Sequence, residues 1–162
     1  MKKILLFIVA IMISVTMIGQ KNDRKVEKEI EHYYYDATDS YFTHQYDSAI
    51  YKLDILDFLY EDNSNVKFFL GMCYFFKSDF NTAITYFEHS LVNVAYTHDY
   101  QNGKYAPHIV YFYLGFSYEK TGNTKASIYA YEDYIKYERE KNIIYNMEDK
   151  IKAMELIHNI TD

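Results

Sequence analysis

From Phe68 to Leu91 the chain reads FFLGMCYFFKSDFNTAITYFEHSL, and from Tyr111 to Ile135 it reads YFYLGFSYEKTGNTKASIYAYEDYI. Both stretches carry one spacing. Leu70 and Gly71, with Tyr74 three residues on, correspond to Leu114 and Gly115 with Tyr118. Twelve residues after each glycine stands a small residue, Ala83 or Ser127, and four further on an aromatic one, Phe87 or Tyr131. Tyr46, Ala49 and Leu53 precede Phe80, Ala83 and Phe87 by 34 residues and form an earlier copy of the second half. The period is therefore 34, and the 44-residue gap between the two full copies contains ten inserted residues between Asn93 and His108. Such a period with apolar residues at helical spacing describes a repeated helix pair. One pair cannot bury both of its faces, so copies must stack, and small residues where two helices cross let their backbones come close.

The pattern resembles the tetratricopeptide repeat, whose signature runs W-x2-L-G-x2-Y, then A-x3-F, then P. The chain departs from it at the Trp slot, filled by Lys67 and Tyr111, and at the Pro slot, filled by Ala95 and Arg139. In the first copy Tyr33, Ala37 and Ser40 fill the Trp, Gly and Tyr slots, while Asp36 stands at the Leu slot. The resemblance covers roughly residues 30 to 140. It implies an all-α fold, a right-handed superhelical solenoid of about three helix pairs, with repeats near 30–63, 64–97 and 108–141.

Helices are expected near 25–43, 47–60, 65–77, 80–98, 108–120 and 124–140. Gly122 marks the last inter-helix turn, KSDFN takes that part in the middle copy, and Asp79 and Asn123 are expected N-caps. A final helix near 143–160 carries Ile143, Met147, Ile151, Met154 and Ile157 as one stripe and is the expected terminal cap of the stack. The insertion is expected to lengthen the helix before it by a turn or two. Val94 and Ala95 continue the Ile84, Phe87, Leu91 stripe, and Pro107 falls in the first turn of the next helix.

The N-terminus reads MKKILLFIVAIMISVTMIGQ: Lys2 and Lys3, then fifteen uncharged residues from Ile4 to Ile18, then Gly19. That is the layout of a secretory signal over residues 1–19, which places the helical domain, residues 20–162, outside the cytoplasm. An uncleaved anchor is the competing reading, but the apolar run is shorter than the roughly 20 residues that cross a bilayer comfortably. Losing Lys2 and Lys3 takes the formal net charge from −6 to −8. An acidic body with no basic cluster excludes nucleic acid as a partner and disfavours anionic lipid, so membrane contact is confined to the N-terminal segment if it stays attached. The lone Cys73 forms no internal disulfide.

No reaction centre emerges. His32, His44, His89, His98, His108 and His158 are scattered without zinc-ligand spacing, and His98, Asp99 and His108 around the insertion make a weak metal constellation. There is no phosphate loop and no nucleophile elbow, so neither enzyme activity nor a cofactor is expected.

The resemblance implies a concave groove lined by the first helix of each repeat. Its positions hold Tyr34, Thr38, Tyr41 and Phe42, then Phe68, Phe69, Met72, Phe75 and Phe76, then Phe112, Tyr113, Phe116 and Glu119. The positions that clamp a C-terminal carboxylate in some family members carry Tyr34, Thr38, Phe69, Ile109 and Tyr113, which offer no charged fork. The expectation is a non-catalytic interaction module of the cell envelope or periplasm, binding an apolar or aromatic peptide segment or protein in this groove. The alternative is a glycan- or small-ligand-binding envelope protein using the same rings. The absence of Trp and the shortage of polar groups beside the aromatics weigh against that alternative.

Overall fold

A computed structural model describes residues 28–60, 63–95 and 105–139. The expected leader, the middle of the insertion and the expected cap lie outside these residues. Six helices are described: α1 over residues 28–42, α2 Tyr46–Leu59, α3 Ser64–Phe76, α4 Phe80–Ser90, α5 Val110–Lys120 and α6 Thr124–Arg139. Two short strands, β1 Val94–Ala95 and β2 Ala106–Pro107, flank the insertion. The chain divides into two compact units, Met1–Asp36 and Ala37–Asp162. In the first, the described residues are the start of α1, where the Tyr35 hydroxyl donates to Glu31 Oε1 at 3.4 Å and the Tyr34 and Tyr35 rings meet edge to face.

In the second unit, α3 packs along α4 and α5 along α6 as hairpins, while α2 against α3 and α4 against α5 join each pair to the next. This is an all-α helical-repeat arrangement, and the small residues explain its closeness. A Cβ added at Gly71 would fall 2.5 Å from the Phe87 ring, and one at Gly115 2.8 Å from the Tyr131 ring. Ala49, Ala83 and Ser127 have no exposed surface, and neither do Leu53, Phe87 and Tyr131 four residues on. The Ser127 hydroxyl donates to the Gly115 carbonyl at 2.7 Å, so in the last pair the helix crossing is hydrogen-bonded as well as close. Leu70 and Leu114 are buried beside these glycines. Tyr74 stacks on Tyr86, and the Tyr118 hydroxyl donates to the Glu88 carboxylate of the preceding pair. Lys67, at the slot where the family signature has Trp, reaches Asp57 of the preceding pair at 2.6 Å.

The three turns inside the pairs are one turn repeated. His44, Ser78 and Gly122 have φ of 61°, 62° and 79°. The next N–H in each case returns to a carbonyl five residues back: Gln45 to Ser40 (2.8 Å), Asp79 to Tyr74 (3.0 Å) and Asn123 to Tyr118 (2.9 Å). A left-handed residue followed by that bond is the Schellman ending of a helix, which satisfies carbonyls the helix leaves open. The Asp79 and Asn123 side chains then accept from the N–H groups of Thr82 and Ala126, capping α4 and α6. Gln45 makes no side-chain cap on α2.

The insertion departs from the expected helix extension. α4 stops at Ser90, well short of residue 98. The buried Ser90 hydroxyl turns back to the Phe87 carbonyl at 2.7 Å, and the Asn93 N–H donates to Ser64 Oγ at the start of α3. Val94 and Ala95 leave the helical stripe and pair in parallel with Ala106 and Pro107, next to the Ala106 N–H bond to the Asn93 carbonyl at 2.8 Å. Backbone groups that a longer helix would satisfy internally find partners across the insertion instead, and β-branched Val94 favours that extended state. Pro107, which has no N–H to give, lies in this bridge, ahead of α5 and its N-cap Ile109.

Candidate functional site

Seen along the sequence, the first helix of each pair brings its aromatics into two like clusters one repeat apart. In the first, Tyr41 of α1 meets Phe42 (5.1 Å between ring centres), Phe69 (5.3 Å) and Phe76 (6.1 Å), and Tyr46 stacks flat on Phe76 at 5.5 Å. In the second, Phe75 of α3 meets Phe76 (5.5 Å), Phe80 (5.6 Å), Tyr113 (5.1 Å) and Phe116 (5.4 Å). Phe76 belongs to both, so the rings run without a break from Phe42 through Tyr41, Phe76 and Phe75 to Phe116. Lys120 closes the row with its ammonium 5.0 Å above the Phe116 ring.

The expected groove residues divide by depth. Phe68, Phe69 and Met72 are buried, and their rings and thioether serve packing: Phe68 tilts against Phe87, and Phe69 takes the edges of Tyr41 and Phe42. Phe112 packs on the buried Tyr131 and Tyr134 of α6. Tyr41, Phe75, Tyr113 and Phe116 are half-buried. Phe76 is 47% exposed and Phe42 68% exposed, so the open part of the row lies at the C-terminal ends of α1 and α3. Tyr34 belongs to the first unit, where it is half-buried beside Tyr35. Thr38 is buried and Glu119 accepts from the Tyr131 hydroxyl at 3.0 Å, so both are held within the fold.

Tyr46 and Phe80 complete the clusters from the second helices and were outside the expected lining. Their 34-residue separation was the available signal, since each opens the second helix of its pair at the same slot. Among the described residues no group of three His, Cys, Asp or Glu side chains is placed to hold a metal ion. Cys73 is buried, and burial pushes its thiol up to about 12, which leaves it protonated and unreactive near neutrality. Burial likewise raises the Tyr41 and Tyr113 phenols above their ordinary value, so the row presents neutral rings at physiological pH. A surface of neutral aromatic rings with the Lys120 ammonium at its end is suited to apolar contact.

No protein-family model and no curated protein matches the sequence. Solved structures do match the fold. One is the type III secretion translocator chaperone SycD of Yersinia enterocolitica, with a TM-score of 0.63 at 16% identity over 80% of this chain and 86% of that one. Another is the same chaperone in complex with a peptide of the translocator YopD, with a TM-score of 0.62 at 16% identity over 83% of this chain and 96% of that one. The chain shares with these tetratricopeptide-like, all-helical proteins its fold.

Proposed function

We propose that the chain is a non-catalytic protein-binding module that holds an apolar or aromatic segment of a partner against the open end of the aromatic row. The observation that carries this reading is the pair Phe42 and Phe76, both exposed and joined through Tyr41. Clustered exposed phenylalanines are what interfaces use and what isolated surfaces avoid. A protein of like fold holding a peptide supports the same reading. The lysine pair followed by the Ile4–Ile18 run supports export, with the domain working in the periplasm or cell envelope after removal of residues 1–19.

Peptides selected from a random display library on the purified chain should be rich in Phe, Tyr, Leu, Ile and Met. Binding of a selected peptide should fall at least about tenfold, roughly 1.4 kcal/mol, in the double variant Phe42→Ser/Phe76→Ser with helicity unchanged. Undiminished binding would remove the row from the interface, and selective capture of glycans in place of peptides would favour the glycan-binding alternative. Mass spectrometry of the protein recovered from the envelope should show an N-terminus beginning after Gly19. An intact Met1 would make the N-terminal segment an anchor.

A further inference from the structure

Several tyrosine hydroxyls are taken up by the fold. That of Tyr46 meets His44 Nδ1 at 2.8 Å, and that of Tyr131 donates to Glu119 at 3.0 Å. Those of Tyr118 and Tyr86 go to the Glu88 and Asp54 carboxylates. Tyr41 and Tyr113 differ. Both are half-buried, and neither hydroxyl has a hydrogen-bond partner among the described residues. Their rings are held firmly: Tyr41 lies edge to face on Phe69 at 5.3 Å, and Tyr113 on Phe75 at 5.1 Å. Phe69, Met72 and Phe75 follow one another at steps of three along α3, so Tyr41 of α1 and Tyr113 of α5 stand on either side of the buried Met72. The two phenols are within electrostatic reach of one another, since after burial the nearness of Tyr113 is the next cause raising the Tyr41 phenol.

We propose that Tyr41 and Tyr113 determine the specificity of the aromatic row: their hydroxyls bond to the main chain of the bound segment and so select an extended segment over a helical one. This rests on the reading that the row is the binding surface. The rings around the two hydroxyls accept apolar side chains, and a segment apolar enough to fill the row carries its polar groups on its backbone. A helix spends those groups on itself, which would leave both hydroxyls covered and unpaired. An extended segment keeps an N–H and a C=O free at nearly every residue. A phenol hydroxyl both donates and accepts, so either group serves.

The probe is a fluorescent peptide selected on the full chain from a random display library, with analogues in which one backbone amide at a time is replaced by an ester. The double variant Tyr41→Phe/Tyr113→Phe keeps both rings and removes only the hydroxyls. It should bind the peptide at least about tenfold more weakly with helicity unchanged. At least one ester should weaken binding to the unaltered chain and cost nothing further in that variant, a coupling that a merely structural tyrosine would not give. Carbon chemical shifts of the bound, isotope-labelled peptide should be those of extended backbone. Full affinity of the double variant, strictly additive losses from ester and variant, or a helical bound peptide overturns the proposal. If Phe42→Ser/Phe76→Ser impairs binding in that case, the row remains the binding surface and only the selection of backbone falls. If Phe42→Ser/Phe76→Ser leaves binding intact, the row is not the surface, and the role of the two hydroxyls falls with it.

Discussion

At Gly71 the ring of Phe87 occupies the space that any side chain would need. Gly71→Leu should therefore destabilise the chain by about 1–3 kcal/mol, the range for overpacked core sites, read as a lower thermal midpoint with the native helical signal retained at low temperature. A midpoint unchanged from the original would mean that α3 and α4 do not cross there. The left-handed turn residues make a prediction of opposite sign. Ser78 holds φ at 62°, as Gly122 holds 79°, but Ser carries a Cβ into a conformation that disfavours one. Ser78→Gly should raise stability by up to about 1 kcal/mol in denaturant titration, and a loss would show that the serine side chain contributes more than its backbone costs. Gly71 was legible from the sequence, because a small side chain at a fixed slot in two copies leaves few explanations, whereas KSDFN marked a turn without marking Ser78 as its left-handed residue. Depth within the aromatic lining was not legible. Phe69 and Phe76 have the same chemistry and lie on one helix, yet Phe69 is buried beneath both Tyr41 and Phe42 of another helix, while Phe76, at the helix end, meets Tyr41 and stays 47% exposed.

The elements were readable wherever a local signal stops or starts a helix. Asn123 accepts from the Ala126 N–H at 3.3 Å, and Asn123→Ala should cost about 1 kcal/mol in equilibrium unfolding, whereas an effect near zero would mean that the turn itself holds α6. The helix that carries most apolar stripe into the insertion is where local reading failed. Val94 and Ala95 continue the periodicity of α4, yet they sit in β1, because Asn93 before them is held by Ser64 Oγ and by the Ala106 N–H, which brings them alongside Ala106 and Pro107. Those partners lie 12 and 29 residues away in sequence, Ala106 being 12 from Val94's own strand and Ser64 29 from Asn93, beyond the reach of a helical stripe. Lys67 is a milder case. It looks out of place at an aromatic slot until Asp57 of the preceding pair is seen beside it.

At the scale of the whole molecule, tyrosine sets the response to alkali. Burial, aided by Asp54, pushes the Tyr86 phenol up to about 12, and burial together with Glu88 and Glu119 raises Tyr118 and Tyr131 as well. The folded state keeps these phenols neutral, while in the unfolded chain they ionise near 10. Their contribution to stability is therefore complete below pH 10 and is lost as pH climbs toward the folded values. Tyrosinate absorbance should rise in two stages, the later one coinciding with loss of far-ultraviolet circular dichroism. A single stage with helicity intact would mean that water reaches the buried phenols in the native state.

The bridge between Val94 and Ala106 has a practical corollary. The two ends of the insertion meet where Val94 pairs with Ala106, so the number of residues between them does not set the spacing from one helix pair to the next. A fluorescent domain or an epitope grafted between those two strands should leave the thermal midpoint of the helices close to that of the original, making this the natural handle for labelling the protein.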